Sequence, residues 1–405
     1  MINIAILGFG TVGSGCAEVI TRNEKIITAR LGDSVNIKYI LDLRDFPDSP
    51  FADRIVHDFS VIRDDPEVSI VAEMMGGIHP AADFTRECLM VGKSVVTSNK
   101  AVVAAVGDEL LDIARQQGCR YLFEAAVGGG IPVIRPLIDE LADNEINSIA
   151  GILNGTTNYI LTEMTRNGTP FDNVLRRAQE LGYAEADPSA DVDGFDAARK
   201  IIILAAIAYG KLLPLESVCV EGIRNIEAED VALLSQAGAS IKLIAYTEKS
   251  TETGAIYAAA TPRVVMPSCP LCHVDDVFNG VLIDGNVLGE TMFYGRGAGK
   301  LPTASAVVSD IIDAAERPAA VQQRLVWKKA DSADIADRNG CRCRRCFILE
   351  GSVAKMPAVC SGDDVITVSR DGRTAVITAE RLTDSEAEAV VRELGAVCRR
   401  EYRVI

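Results

Sequence analysis

The N-terminal part of the chain alternates between two apolar patterns. Residues 2–7 (Ile-Asn-Ile-Ala-Ile-Leu) predict a short strand. The apolar residues that follow recur at helical spacing: Val12, Cys16, Val19 and Ile20. Further strands are predicted at 37–41, 69–73, 94–97 and 120–123, and helices at 81–91 and 108–117. Strands that alternate with helices predict an α/β domain with a parallel sheet covered on both faces.

The pattern changes after the glycine-rich segment 128–132. The next predicted elements are helices at 133–142, 171–181 and 195–209 and strands at 146–153, 254–260 and 281–283. They predict a second domain, of α+β type, over 131–318. A helix at 303–317 is expected to rejoin the first domain, which spans 1–130.

The character of the chain changes again near Pro318. Residues 319–345 are polar and basic in their second half and predict a linker. A small α+β domain is predicted over 346–405, with strands at 346–349, 365–369, 375–379 and 402–405 and a helix at Asp384–Leu394. A shorter helix, 352–359, is interrupted by Pro357.

Composition restricts the possible partners and location. The net charge of −16 argues against a nucleic-acid surface or an anionic-membrane anchor. The longest apolar run, 201–208, is too short to cross a bilayer, and residues 1–15 lack the features of a signal peptide. We therefore expect a cytoplasmic protein that binds neither nucleic acid nor membrane, with its 11 cysteines reduced.

A glycine-rich turn follows the first strand. The segment Gly8-Phe9-Gly10-Thr11-Val12-Gly13 fits G-x-G-x-x-G between a strand and a helix. The glycines permit a tight turn and close approach of the backbone to a pyrophosphate at the helix N-terminus. This context predicts a Rossmann-like domain that binds NAD or NADP.

The second strand leaves the choice between the two cofactors open. It ends at Asp42, an acid that would bind ribose hydroxyls and favour NAD. Arg44 lies two residues later and would pair with the 2′-phosphate of NADP. Either residue taken singly is equally well explained as part of an ordinary surface turn.

Five segments read together resemble one enzyme family. They are Thr97–Lys100, Glu124–Ile131, Asn154–Asn158, Leu181–Lys200 and Tyr294–Thr303. In this order they resemble the homoserine dehydrogenases, and the resemblance covers residues 1–318. It implies NAD(P)-dependent interconversion of L-aspartate 4-semialdehyde and L-homoserine in threonine, methionine and isoleucine biosynthesis. It also implies a homodimer or homotetramer that acts on this small-molecule substrate.

Asp196 and Lys200 are the charged pair on which the chemistry depends. Four residues apart on a helix, they could simply stabilise it by about 0.3–0.5 kcal/mol. The apolar run that follows predicts a buried helix, where charges are costly unless they serve a site. The resemblance implies that Lys200 donates the proton to the carbonyl oxygen and that Asp196 orients it. Lys100, at the carboxyl end of a strand, is the second predicted catalytic lysine.

Other residues are assigned by the same resemblance. Glu185 is expected to bind the substrate ammonium group, and Asp191 is grouped with the substrate-binding acids. Gly155 and Thr156 open a helix whose N–H groups suit a carboxylate, although capping by Thr156 is the alternative. Predicted cofactor contacts beyond the glycine turn are Arg44, Ser98, Lys100 and Gly299.

The resemblance further implies a structural monovalent cation, Na⁺ or K⁺. Its expected ligands are one acidic side chain and backbone carbonyls, at Glu124, Val127, Gly129 and Ile131. Oxygen ligands are what hard cations prefer. The sequence alone predicts only a tight turn at this place.

Two cysteine clusters depart from the family pattern. Cys269-Pro-Leu-Cys272-His273 matches a haem-attachment motif, which a cytosolic location argues against. Local substitutions that make the loop redox-sensitive are the minor alternative. Cys341, Cys343 and Cys346 lack the spacing of paired zinc knuckles and are better explained as cysteines near a basic linker.

Residues 346–405 resemble a shortened ACT domain, a ligand-binding module. Because its first helix is reduced, we expect threonine to inhibit weakly or not at all. Two other functions remain open: a non-catalytic regulator that senses the cofactor, and a dehydrogenase for another semialdehyde or a 2-hydroxy acid. The regulator would not need Lys100, Glu185, Asp196 and Lys200 together.

Overall fold

The computed structural model describes residues 1–316, 325–337, 341–350, 356–362 and 364–405. The chain divides into two compact units. The first contains Met1–Glu145, Ile202–Leu215 and Gly295–Lys329, and the second contains Ile146–Ile201, Glu216–Tyr294 and Ala330–Ile405. Each unit is built on its own sheet. The predicted domain boundaries differ from these bounds and remain a prediction.

Helices and strands cover most of the described chain. The helices are α1 Thr11–Arg22, α2 Glu24–Leu31, α3 Ser60–Arg63, α4 Ala81–Met90, α5 Lys100–Gln117, α6 Gly155–Asn167, α7 Phe171–Glu180, α8 Ser189–Val192, α9 Phe195–Tyr209, α10 Ala228–Leu234, α11 Lys300–Glu316 and α12 Asp384–Leu394. The strands are β1 Ile2–Leu7, β2 Val35–Leu41, β3 Ile55–Val56, β4 Val68–Glu73, β5 Ser94–Thr97, β6 Tyr121–Leu122, β7 Ile146–Ile152, β8 Lys211–Leu212, β9 Cys219–Val220, β10 Ser240–Lys249, β11 Ile256–Val265, β12 Phe278–Gly285, β13 Gly289–Arg296, β14 Lys328–Lys329, β15 Arg344–Glu350, β16 Ile366–Arg370, β17 Arg373–Ile377 and β18 Val397–Val404.

The first unit contains a parallel sheet in the order β3-β2-β1-β4-β5-β6. Its central strands β1 and β4 are apolar and almost fully buried, as strands covered on both faces must be. The strand order reverses between β1 and β4, and open sheets of this type bind ligands outside the carboxyl ends at that point. The predicted Rossmann-like sheet is confirmed.

One helix of the first unit begins earlier than predicted. The sequence indicated a helix from residue 108, whereas α5 begins at Lys100. The side chain of Asn99 accepts hydrogen bonds from the N–H groups of Ala101 and Val102 and so caps the first turn. A non-helical residue, Val106 (φ −139°, ψ 19°), separates this turn from the predicted part. Lys100 is therefore placed on a capped helix start rather than on a loop.

The helix predicted at 133–142 is present but shorter, and it is not a regular α-helix. The structure has a π-helical turn at Pro136–Glu140. The predicted helix 352–359 lies partly outside the described residues, and Ala358–Cys360 form a single 3₁₀ turn.

The second unit contains a mixed sheet in the order β13-β12-β7-β10-β11-β18-β15-β17-β16, with β9 added beside β11. Most neighbours are antiparallel, but β18 and β9 run parallel to β11. Apolar side chains on one face, including Ile244 and Val265, form its core. The predicted α+β architecture is confirmed, and the C-terminal strands share this sheet.

The C-terminal segment has a small core of its own. Phe347 and Leu349 from β15, Val376 from β17 and Leu394 from α12 are fully buried against one another. Helix α12 begins where predicted because Thr383 and Glu386 form a reciprocal capping box. The ACT-like character of this segment remains a prediction.

Candidate active site

The glycine turn after β1 is tight enough to require glycine. Gly8 has a left-handed backbone (φ +89°), and a Cβ there would stand 2.9 Å from the carbonyl oxygen of Met74. A Cβ at Gly13 would stand 2.0 Å from the carbonyl oxygen of Gly8, which no side chain tolerates. Nothing lies within 4 Å of the corresponding point at Gly10. Two of the glycines therefore shape the turn, and the third leaves the start of α1 accessible.

A cavity of about 520 Å³ opens at this turn, along the carboxyl ends of β1, β2 and β4. Gly8, Gly10 and Arg44, which the sequence predicted as cofactor contacts, line it. The other residues that line it are Leu41, Asp42, Leu43, His57, Phe59, Met74, Met75, Gly76, Pro80 and Phe84. The sequence analysis did not assign the apolar members, because they come from several separate segments. Some of them, such as Leu43, Met74 and Met75, lie just after a strand of the parallel sheet.

Thr11, Val12, Gly13 and Phe9 belong to the turn or the helix behind it and do not line the cavity. The Phe9 ring packs edge-on against Phe46, with ring centroids 5.1 Å apart. The residue contributes its N–H, which donates to Asp42 at 2.8 Å. Ser98, Lys100 and Gly299 also do not line this cavity.

Asp42 is the charged centre of the cavity rim. Its carboxylate accepts hydrogen bonds from the Phe9 N–H and from the N–H, Nε and Nη2 of Arg44, at 2.8–3.1 Å. Burial alone would raise the pKa of Asp42, but these hydrogen bonds lower it to about 2. The side chain is thus ionised at neutral pH, and the Arg44 guanidinium is held against it.

A buried acid joins the ends of β4 and β5. Glu73 is fully buried and accepts hydrogen bonds from Thr97 Oγ1 at 2.6 Å and from the Met75 N–H at 2.7 Å. Burial raises the pKa of Glu73 despite these bonds. Asn99, the cap of α5, donates to the carbonyl of Gly77 at 2.8 Å and to Glu73. This network, which sequence reasoning missed, fixes the helix start that carries Lys100.

In the second unit, Lys200 is held by two oxygen atoms. Its Nζ donates to the Leu153 carbonyl at 2.6 Å and to Asp196 Oδ2 at 2.8 Å, and the residue is 8% exposed. Asn154 donates to Asp196 at 2.9 Å and to Asp191 at 2.7 Å. The structure therefore gathers Lys200, Asp196 and Asp191, three of the predicted site residues, at the end of β7.

Asn154 also begins α6. Its side chain accepts from the Thr157 N–H at 2.8 Å, so Asn154, and not Thr156, is the cap. Thr156 Oγ1 donates instead to the Tyr183 carbonyl at 2.7 Å. The N–H groups of Gly155 and Thr156 donate to no described residue. A Cβ at Gly155 would stand 2.9 Å from the Val277 carbonyl, which explains the glycine.

Glu185 is not joined to this cluster by any hydrogen bond between described residues. The residue is exposed, and its backbone carbonyl accepts from Gln179 at 3.1 Å. Its predicted contact with a substrate ammonium group remains a prediction.

Comparison with known proteins identifies the family. The homoserine dehydrogenase NAD binding domain model matches residues 8–124, and the homoserine dehydrogenase model matches residues 132–312. A homoserine dehydrogenase from Synechocystis sp. is 46% identical over 77% of this chain and 73% of its own length. One from Mycobacterium bovis is 36% identical over 96% of this chain and 89% of its own.

The chain belongs to the homoserine dehydrogenase family.

Solved structures agree with this membership. The homoserine dehydrogenase from Thiobacillus denitrificans superposes with a TM-score of 0.88 at 32% identity, covering 100% of this chain and 98% of that one. A hyperthermophilic archaeal homoserine dehydrogenase in complex with NADPH has a TM-score of 0.66 at 30% identity, covering 77% and 97%. The chain is thus an NAD(P)-binding oxidoreductase. These matches favour a homoserine dehydrogenase over a non-catalytic regulator that senses the cofactor. They also favour it over a dehydrogenase for another semialdehyde or a 2-hydroxy acid.

Glu124 occupies a cluster of polar groups in this member of the homoserine dehydrogenase family. It is 3% exposed, and its carboxylate accepts from the N–H groups of Val133, Ile134 and Arg135, each at 2.8 Å. The Glu124 N–H donates to Asp310 at 2.8 Å. Asp310 was not predicted, because it lies 186 residues further along the chain.

The cysteines all carry free thiols. Burial raises the pKa of Cys269, and of Cys341 to about 12, which lowers their reactive thiolate fraction. No three His, Cys, Asp or Glu among the described residues are grouped as metal ligands. No helix of the described chain is both long and apolar enough to span a membrane.

The raised pKa of Asp310 leads us to predict that the stability of the protein depends on pH. Burial, and then the Glu124 carboxylate, raise its pKa from 3.8 to about 7. Between these values the folded protein binds more protons than the unfolded chain, so the free energy of unfolding falls as pH rises. In Asp310→Asn this decline should be smaller between pH 5 and pH 8, measured by urea denaturation. The exposed Asp143→Asn is the control and should keep the wild-type slope. An unchanged slope in Asp310→Asn would contradict the assignment.

Proposed function

We propose that this chain interconverts L-aspartate 4-semialdehyde and L-homoserine with NAD or NADP, and that Lys200 exchanges the proton at the substrate oxygen. The observation that carries the proposal is the buried lysine held by the Leu153 carbonyl and Asp196. A protonated lysine has three N–H donors. Two are used here, so the third is available to the oxygen of a bound substrate.

The roles of the chain's own residues follow from this geometry. When bound, the nicotinamide cofactor supplies or accepts the hydride at the substrate carbon. Lys200 then protonates the developing alkoxide, or removes the proton in the reverse direction. Asp196 holds the ammonium group in place and offsets the cost of burying its charge. Lys100, fixed by the capped start of α5, is proposed as the second catalytic lysine.

The start of α6 supports a site for the substrate carboxylate. The N–H groups of Gly155 and Thr156 lie at a helix N-terminus and donate to no described residue, and such groups favour anions. Glu185 and Asp191 are proposed to face the substrate ammonium group. Ser98 and Gly299 remain proposed cofactor contacts.

Replacing the proton donor tests the proposed function. In Lys200→Ala, kcat for homoserine oxidation should fall by about 10²-fold or more, because general acid–base catalysis is lost. Steady-state kinetics with homoserine and either cofactor measure this. Lys249→Ala, an exposed lysine of the same unit, should leave kcat unchanged. Full activity in Lys200→Ala would remove the proposed role.

Asp42 is proposed to set the balance between the two cofactors. Its ionised carboxylate would bind ribose hydroxyls and repel a 2′-phosphate. In Asp42→Asn, the repulsion between this carboxylate and the 2′-phosphate is lost. If that repulsion is about 1.4 kcal/mol, kcat/KM for NADP relative to NAD should rise by about tenfold. The matched control is Asp45→Asn, an exposed acid three residues further along that pairs with His57. An unchanged ratio in Asp42→Asn would show that this acid does not discriminate.

Glu124 and the neighbouring turn are proposed to hold a monovalent cation. Val127, Gly129 and Ile131 are buried, and their carbonyl oxygens accept no hydrogen bond from a described residue. Buried carbonyls need a partner, and Na⁺ or K⁺ would provide one. The ion would stabilise the turn rather than take part in the reaction. The expected dimer or tetramer, and weak or absent inhibition by threonine, also remain predictions.

A further inference from the structure

The helix that carries Lys100 is not continuous. Val106 has φ −139° and ψ 19°, so the turn that begins at Lys100 is separated from the rest of α5. Sharp breaks in helices occur at proline, at small residues, or where a side chain packs into the helix. No proline lies between Lys100 and Gln117. The cause therefore lies in what packs against the break.

An indole ring lies against the backbone just after the break. A Cβ at Gly107 would stand 2.7 Å from Cζ3 and 3.2 Å from Cε3 of Trp327. These distances are shorter than van der Waals contact, so the ring packs directly on the helix backbone and only glycine leaves room for it. Trp327 is 6% exposed, and its Nε1 has no hydrogen-bond partner among the described residues. Packing, and not a polar contact, holds the ring at the break.

Trp327 is also held by contacts outside α5. The buried Phe123 ring packs against it, with ring centroids 5.4 Å apart. The next two residues, Lys328–Lys329, form β14 and pair with β8. The Lys328 N–H donates to the Gly210 carbonyl at 3.1 Å. The ring therefore cannot move away from the helix without the loss of these contacts.

The segment Lys100–Val106 is thus anchored at both ends. At its start, Asn99 caps the first turn and donates to the Gly77 carbonyl at 2.8 Å. At its end, Trp327 packs against the break. The place of Lys100 depends on both anchors, because the segment between them is less than two helical turns long.

We propose that Trp327 is a positioning residue that holds the break in α5 and thereby places Lys100 for the reaction. This inference rests on the proposed function, in which Lys100 is the second catalytic lysine. Without the ring, Val106 can adopt helical angles, and the first turn then changes direction together with Lys100. A displacement of about 1 Å at a reacting group can lower the rate by about 10²-fold.

The test compares Trp327→Ala, which removes the ring, with Trp327→Phe, which keeps an aromatic ring at the break. In Trp327→Ala, kcat for homoserine oxidation should fall by about tenfold or more, and KM for homoserine should not change. Trp327→Phe should retain most of kcat. The control is Leu110→Ala, which truncates another fully buried side chain on α5 beyond the break. It should lower the Tm as Trp327→Ala does, but keep the wild-type kcat.

Gly107→Ala tests the contact without changing the tryptophan. The chain contains one tryptophan, so its fluorescence reports on this ring alone. The new Cβ should displace the ring, shift its emission to longer wavelength and lower kcat. Added to Trp327→Ala, the same substitution should lower kcat no further, because no ring remains to be displaced.

Combination with Lys100→Ala separates this proposal from the proposed function. Lys100→Ala should lower kcat, and addition of Trp327→Ala should lower it no further, since Trp327 acts through Lys100. Wild-type kcat in Trp327→Ala, an equal loss of kcat in Leu110→Ala, or losses that multiply in the double variant would each overturn the proposal. Wild-type kcat in Lys100→Ala would overturn the proposed role of Lys100 and this proposal with it. Lys200→Ala tests the rest of the proposed function separately.

Discussion

A charge removed from water must find a partner, and this requirement organises both units of the structure. Lys200 is stable inside the second unit because a carbonyl and Asp196 surround its ammonium group. In the first unit Glu73 and Glu124 are satisfied mainly by backbone N–H groups and uncharged side chains. These partners fix the chain where strands end, and strand ends are where both proposed sites lie.

The sequence was most informative where partners are close along the chain. The strand, glycine turn and helix at residues 2–22 follow from short-range patterns, and so does the Asp196–Lys200 pair on one helix. Helix α12 was predicted with its observed bounds, and the capping box that begins it is formed by residues three positions apart. In each case the interacting residues are only a few positions apart, so the interaction is visible as periodicity or spacing in the sequence.

Partners that are far apart in sequence were not predictable in this way. Asp310 contacts Glu124 from 186 residues away, and Asn154 reaches Asp196 over 42 residues. The residues lining the cofactor cavity come from several segments that the strand order brings together. The early start of α5 was missed although its cap at Asn99 is local, because the non-helical residue Val106 separates the first turn from the rest of the helix. Tertiary hydrogen bonds leave no periodic trace in a sequence.

The position of β18 has a consequence for how the second unit is assembled. This late strand lies between β11 and β15, and the backbone of Ile405 exchanges hydrogen bonds with Val264 and Met266. Among the described strands, β15, β17 and β16 are therefore joined to β11 and the rest of the sheet through β18, Val397–Val404. The sheet can therefore become continuous only after residues 397–405 have been synthesised and paired, and pairing between strands so far apart in sequence is an intrinsically slow kind of folding step.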